Sequence, residues 1–282
     1  MKICNLYLNY AGFCLAKEKH SIKDGANKMI KYHALFGLIQ HPEKGYILFD
    51  TGYTDRFFDA TRKFPSKIYA LITKVSINKQ DEIKNQMIRN GIRPEEINHI
   101  LLSHFHADHT GGLIDFPNAK IYCTKKAWMH TQGLSQLFSF SKGVLKKQHP
   151  ENMADRIQFI EVISSKTTHP ILGVEYDIFN DQSILAYDLP GHAAGQFGIR
   201  LKTNKKNYFL IADACWLSAS YRNNIYPHPI VKLFFHSWKD FKQTLSKLNK
   251  FHRLHPEELI VPTHCKQTTD PLINENISWN EL

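Results

Sequence analysis

Residues 103–112 read Ser-His-Phe-His-Ala-Asp-His-Thr-Gly-Gly, an H-x-H-x-D-H cluster that follows an apolar strand and precedes a helix start. Four side chains of metal-ligand type stand within six residues. A lone histidine is usually a satisfied polar group, and most of the 16 histidines in this chain are read that way. Three histidines and an aspartate crowded at a strand end are different. They would repel one another on protonation and cost polar burial unless something binds them, and a metal ion does so by coordinating neutral imidazole and carboxylate oxygen. Gly111 and Gly112 ease the turn that follows.

Spacing divides the cluster. His104 and His106 are two apart in extended chain and project to the same side, whereas Asp108 and His109 lie beyond the bend. The four cannot comfortably reach one ion, so the pattern predicts two ions about 3.5–4 Å apart, the paired arrangement used in hydrolysis. Further ligands are then expected from other strand ends. Three candidates each follow an apolar strand: His192 in Leu189-Pro-Gly-His, Asp213 in Ile211-Ala-Asp, and His264 in Val261-Pro-Thr-His. Nitrogen and oxygen donors without thiolates favour two Zn²⁺, with Mn²⁺, Co²⁺ or Fe²⁺ as other occupants.

Short β-branched and aromatic runs predict strands at Tyr46–Phe49, His99–Leu102, Lys120–Tyr122, Ser183–Tyr187, Gly198–Leu201, Tyr208–Ala212 and Leu259–Val261. Helical patterns lie between them. Asp81–Ile92 places Ile83, Met87, Ile88 and Ile92 near one face and ends near Gly91. Ser237–Lys250 opens on a Ser-x-x-Asp cap and aligns Trp238, Phe241, Leu245 and Leu248. Alternating strands and helices imply a layered α/β chain, read as one domain over residues 1–282. A weak internal repeat supports this reading: Tyr46-Ile-Leu-Phe-Asp50 resembles Tyr208-Phe-Leu-Ile-Ala-Asp213, and Pro94-Glu-Glu-Ile resembles Pro256-Glu-Glu-Leu. Both copies run strand, Asp, helix, Pro-Glu-Glu, strand, His. Two half-domains would then pack face to face over a shared cleft. Residues 53–79 and 126–166 fit the regular pattern poorly and carry Phe57, Phe58, Phe64, Tyr69, Trp128, Phe138 and Phe140, which either form lids over a site or fill peripheral core.

Five cysteines without a CxxC are expected to be reduced thiols, and Cys215 and Cys265 are read as buried small hydrophobes despite their closeness to proposed ligands. Asn5 and Asn9 interrupt the first apolar run, so it is not read as a signal peptide. No stretch approaches the roughly 20 apolar residues of a membrane span, and a cytoplasmic location is expected. The net charge of +10 comes in short pieces such as Lys125-Lys126, Lys146-Lys147 and Lys205-Lys206, which are read as a solvated surface.

These residues, with the Phe49-Asp-Thr-Gly52 turn, resemble the metallo-β-lactamase superfamily over roughly residues 30 to 266. The resemblance implies a four-layer αβ/βα sandwich. His104, His106 and His192 would hold one metal, Asp108, His109 and His264 the other, and Asp213 would bridge both. Asp50 is expected to fix a histidine or the loop, not to ligate. A bridging water of lowered pKa would supply hydroxide, and Asp108 would carry the proton to the leaving group.

Departures narrow the choice. Flavodiiron-type members use Glu at the position of His106, and the zinc β-lactamases use Cys at that of Asp213. Glyoxalase II carries a helical domain after its last ligand and is not expected with 18 residues following His264 here, and the 50 between Asp213 and His264 leave no room for a β-CASP insertion. The chain is most similar to the N-acyl homoserine lactonases, enzymes that quench quorum signals. Those commonly carry a Tyr three residues after the bridging Asp, where this chain has Trp216, so Trp216 and Tyr221, with Tyr226 as a substitute, are the expected substrate contacts. Gln196 stands where related members often have a second His.

Three classes stay open. The first is a lactone or ester hydrolase acting on a small molecule. The second is a phosphodiesterase or RNA-processing hydrolase, favoured only by charge, so that nucleic acid is not the expected partner. The third is a non-catalytic binding protein, which a complete ligand set argues against. A homodimer is carried over from the family, with nothing in the sequence to locate its interface.

Overall fold

The computed structural model describes residues 2–275; the remaining ends of the expected 1–282 domain lie outside the described residues. Among the described residues, thirteen strands form two sheets. The first contains β1 (Asn5–Lys17), β2 (Met29–His41), β3 (Gly45–Phe49), β4 (Lys74–Ser76), β5 (Ile97–Leu101), β6 (Lys120–Cys123) and β7 (Ile157–Phe159), in the order β4-β1-β2-β3-β5-β6-β7. The second contains β8 (Ser165–His169), β9 (Gly173–Asp177), β10 (Ile184–Asp188), β11 (Phe197–Lys202), β12 (Asn207–Ala212) and β13 (Glu258–Pro262), in the order β13-β12-β11-β10-β9-β8. All seven expected strands form. β1 and β2, each 13 residues long, were not expected. Their two-residue alternation is blurred because β2 is buried on both faces from Tyr32 to Ile39.

Alternation along the strands builds four layers. In β3, Ile47 and Phe49 join the core between the sheets, while Leu48 faces outward with Ile83 and Met87 of helix Ile83–Arg89. In β12, Leu210 and Ala212 point inward, and Phe209 and Ile211 meet Phe241, Leu245, Leu248 and Phe251 of helix Trp238–Leu254. Sheet lies on sheet, with helices outside both, as expected of the αβ/βα sandwich.

The two helices differ slightly from expectation. The first starts at Ile83 because Lys79–Asp81 forms a 3₁₀ turn, and Ile88 is exposed because it falls five residues after Ile83, off the buried stripe. The second runs on to Leu254, capped by the Ser237 side chain, which accepts from the Asp240 N–H at 3.2 Å. The aromatic insertions divide. Phe57 is buried, Tyr69, Trp128 and Phe140 are half-buried, and Phe58, Phe64 and Phe138 are exposed. Cys215 and Cys265 are buried free thiols, and Cys265 Sγ accepts the Ser218 N–H. Among the described residues no helix is long and apolar enough to cross a membrane.

Candidate metal centre

The internal repeat appears as a pair of matching units. β3 lies parallel to β5, and β12 lies parallel to β13. Each first strand leads to an aspartate and each second strand to a histidine: Asp50 and His104 both contact the Ser103 hydroxyl, and Asp213 contacts His264. At both ends the backbone twists into the left-handed region, at Asp50 (φ 58°) and Ala212 (φ 47°). Such strain at non-glycine residues is held only where surrounding contacts over-determine it.

The H-x-H-x-D-H segment leaves β5, and its Ala107–Thr110 stretch forms one helical turn. The Asp50-Thr51-Gly52 turn fastens it. The Thr51 N–H and hydroxyl both donate to the His109 carbonyl, at 3.0 and 2.7 Å, and the Gly112 N–H donates back to the Thr51 hydroxyl. Asp50 is fully engaged: Oδ1 accepts the Ser103 N–H, and Oδ2 accepts both the Ser103 hydroxyl (2.8 Å) and His109 Nδ1 (2.7 Å). That bond fixes the ring and leaves His109 Nε2 free for an ion.

The Pro190-Gly191-His192 loop is braced by the second outer helix. The Ser237 N–H donates to the Gly191 carbonyl, the His236 N–H to the His192 carbonyl, and the Thr244 hydroxyl to the Pro190 carbonyl. Gly191 is required here. Its φ is +136°, and a Cβ would meet the Phe241 backbone at 2.3 Å. Gln196 closes the loop from its other end, donating through Nε2 to the Leu189 carbonyl at 3.0 Å. His264 donates through Nδ1 to the His33 carbonyl (2.6 Å), which again leaves Nε2 facing the centre.

The seven expected ligands come together in two groups. His104, His106 and His192 form one; Asp108, His109, Asp213 and His264 form the other. Within each, one potential ligand atom per residue lies within 4.8 Å of the rest. Asp213 touches both, with Oδ2 at 2.9 Å from His264 Nε2 and 3.3 Å from His192 Nε2. His109 Nε2 is 3.5 Å from Asp213 Oδ1 and 3.6 Å from Asp108 Oδ2, too long for good hydrogen bonds. His104 Nε2, His109 Nε2 and Asp213 Oδ1 are buried without a hydrogen-bond partner. Buried polar atoms are rarely left so. Three together, in an all-nitrogen-and-oxygen donor set, fit metal ions.

The two groups differ electrostatically. Burial holds the His104 and His192 imidazoles well below the usual histidine range and takes His106 down to about 4. At His109 burial also opposes the charged form, but Asp50, Asp108 and Asp213 outweigh it and hold the ring well above that range. His264 is likewise raised, against burial, by Asp213 and Asp108. Asp213 stays well below the carboxylate range despite burial, because His264 and His109 face it.

Above both groups opens a cavity of about 440 Å³. Trp216 lines it, its ring 5.7 Å from that of His192 in an edge-on contact. Tyr221 does not reach it. Fully buried against the outer face of the second sheet, Tyr221 donates its hydroxyl to the Ile260 carbonyl at 3.2 Å. Tyr226 packs on Trp238 instead. The phenols that do line the cavity are Tyr32, Tyr53 and Tyr69. The composition of the 53–79 insertion pointed to Tyr69; Tyr32 lies on the unexpected β2 and had no signal.

Comparison with known proteins agrees with this geometry. A family model described as Metallo-beta-lactamase superfamily matches residues 33–264. A probable metallo-hydrolase of Mycobacterium tuberculosis is 21% identical over 237 residues, spanning 80% of this chain and 73% of that protein. The N-acyl homoserine lactonase AttM of Agrobacterium fabrum is 25% identical over 267 residues, spanning 90% and 91%. Among solved structures, an N-acyl homoserine lactone hydrolase with N-hexanoyl-L-homoserine at its catalytic metal centre superposes with a TM-score of 0.75, at 17% identity over 96% of this chain and 97% of that one. AidC, a dizinc quorum-quenching lactonase, superposes with a TM-score of 0.61 at 18% identity over 95% and 90%. At such identities the structural likeness is one of fold.

Proposed function

Because this chain belongs to the metallo-beta-lactamase superfamily of hydrolases, we propose that it is a single-domain dinuclear enzyme that opens the lactone ring or cleaves the ester of a small acyl-bearing molecule, an N-acyl homoserine lactone first among them. One observation carries this reading. The cavity is floored by His106, Asp108, His192, Asp213 and His264 and walled by apolar groups such as Leu15, Ile68, Ile72, Phe140, Val231 and Phe234. Cavities of this size, with apolar walls and a few convergent polar groups, suit small-molecule ligands. An acyl chain would lie along the walls with its ester over the floor. The lactonase names of AttM and of the structural neighbours support the same class.

In this reading His104, His106 and His192 hold one metal and Asp108, His109 and His264 the other, with Asp213 between them; zinc suits the donor set. Metal ions bound there would polarise the scissile carbonyl and acidify a water. The chain's own residues supply the rest. Asp108 borders the cavity, takes the proton of the attacking water and hands it to the departing alkoxide. Burial keeps the Tyr53 and Tyr69 hydroxyls well above the usual tyrosine range. As neutral phenols they can donate to the carbonyl oxygen, the role left open by Trp216, whose indole N–H donates a hydrogen bond but is not an acid of that kind.

The test is metal analysis and a substrate panel on one sample, covering acyl homoserine lactones of varied chain length, aryl esters and phosphodiesters. Two metal equivalents with chelator-sensitive lactone opening are expected. Turnover confined to phosphodiesters would replace the lactone reading, and a chain without metal under replete conditions would overturn the centre. Asp108→Asn is expected to keep its metal and lose most turnover; an unchanged kcat would remove the proton-carrying role.

A further inference from the structure

The positive charge of this chain is concentrated. Residues 60–80, 124–150 and 214–239 together hold thirteen Lys and Arg and no Asp or Glu, while the rest of the chain holds 23 against 26. The whole excess of +10 thus belongs to three segments and is not dispersed over the surface. All three border the mouth of the cavity: the first through Ile68 and Ile72, the second through Phe140 and Lys142, and the third through Trp216 and Phe234.

The same segments expose large apolar side chains. Phe64 is 68% exposed, Leu71 62%, Phe138 56% and Leu233 76%. Helix Lys67–Ile72 packs only Tyr69 and Ala70, both half-buried, against the core around Phe57, and leaves Ile68, Leu71 and Ile72 exposed. Exposed Lys63, Lys67, Lys142, Lys147 and Lys232 lie among these groups in sequence. An apolar rim of this extent marks an interaction surface. A second copy docked rim to rim would set these exposed lysines against their own like charges. Nucleic acid would answer the charge but offers Leu71 and Leu233 no apolar medium. A bilayer with anionic headgroups offers both.

We propose that the mouth of the cavity docks on an anionic phospholipid surface. Leu71, Phe138 and Leu233 enter the boundary between headgroups and acyl chains, and Lys63, Lys67, Lys147 and Lys232 meet the lipid phosphates. The cavity then opens toward the lipid, and an amphiphilic substrate can enter without crossing bulk water. This assignment stands apart from the hydrolytic reading, since it concerns where the substrate comes from and not which bond is cut.

The full chain is tested by sedimentation with vesicles of phosphatidylcholine alone and of phosphatidylcholine with phosphatidylglycerol, at low and high salt. Binding to the anionic vesicles, weakened by salt, is expected. Each lysine near such a surface is worth roughly a fivefold change in partition, so Lys63→Glu with Lys147→Glu should weaken binding by tenfold or more. Leu71→Ser with Leu233→Ser should also do so by about tenfold, through lost apolar insertion. These positions are exposed, and unchanged melting temperatures would certify the fold. Three results overturn the proposal. One is failure of the wild-type chain to bind anionic vesicles at low salt. Another is retention of binding by the leucine variant, which would mark a purely electrostatic surface such as RNA uses. The last is a wild-type dimer that the leucine variant splits, which would give the rim to a second copy.

Discussion

Asp50 and Asp213 stand at matching places in the two halves of this molecule, each just past the end of a strand that runs parallel to a partner leading to a histidine. Their surroundings give them different work. Both oxygens of Asp50 are taken up by Ser103 and His109, so the residue holds the His109 ring in place. Asp213 keeps Oδ1 without a hydrogen bond and turns Oδ2 to His264 and His192, so it faces both groups at once. The difference teaches that a repeated strand-end aspartate stays open to an ion only where no neighbouring hydroxyl or backbone N–H saturates it.

The largest effect expected from this contrast follows Asp213→Asn. Losing the carboxylate between the groups should cost several kcal/mol of transition-state stabilisation, about 10³-fold or more in kcat/KM, and metal content should fall. A variant with full metal and near-wild-type turnover would show that the two aspartates are not different in kind. Asp50→Asn should be milder. Loss of such a supporting partner typically costs about 10–100-fold in metal affinity or activity, and the loss should concentrate in the group that contains His109. If the His104, His106 and His192 group weakened equally, Asp50 would be serving the whole loop and not one ring.

The electrostatic contrast between the groups sets the next prediction. The carboxylates raise His109 and His264 above the usual histidine range, while burial lowers His104, His106 and His192. Metal entering the second group must therefore displace protons. Its affinity should fall with decreasing pH by up to about tenfold per unit for each proton displaced, whereas the first group should vary little near neutrality. Calorimetric titration in two buffers of different ionisation enthalpy counts those protons. Greater release at the histidine-only group would reverse the assignment.

How far the sequence foretold this centre depends on the half. The first half writes four side chains of ligand type within six residues, a crowding that is hard to explain without an ion. In the second half His192, Asp213 and His264 are single residues at three strand ends, legible because each follows an apolar run and because the repeat pairs Asp213 with Asp50. The cavity was far less legible. Its phenols come from β2, whose two-sided burial hides the alternation of a strand, and from the 53–79 insertion, whose aromatics could equally have been core. The charge pattern was visible in sequence only as scattered lysine pairs, because the fold alone brings the three acid-free segments to one mouth.

The smallest effect separates a phenol at the cavity from one behind the sheet. Tyr221 was expected to contact substrate, but its hydroxyl donates to the Ile260 carbonyl inside the packing against the Trp238–Leu254 helix. Tyr221→Phe removes one buried hydrogen bond and should cost about 1 kcal/mol of stability, read as a fall of roughly 2–4 °C in melting temperature for a domain of this size. Because that hydroxyl faces the strand and not the substrate, kcat and KM should stay at wild-type values. Tyr69→Phe should show the opposite pattern, a loss of kcat with little change in melting temperature, since Tyr69 lines the cavity. Should Tyr221→Phe lower kcat with stability intact, the path from the Ile260 strand to the floor of the cavity would have to carry the effect, and the division between the two sets of tyrosines would fail.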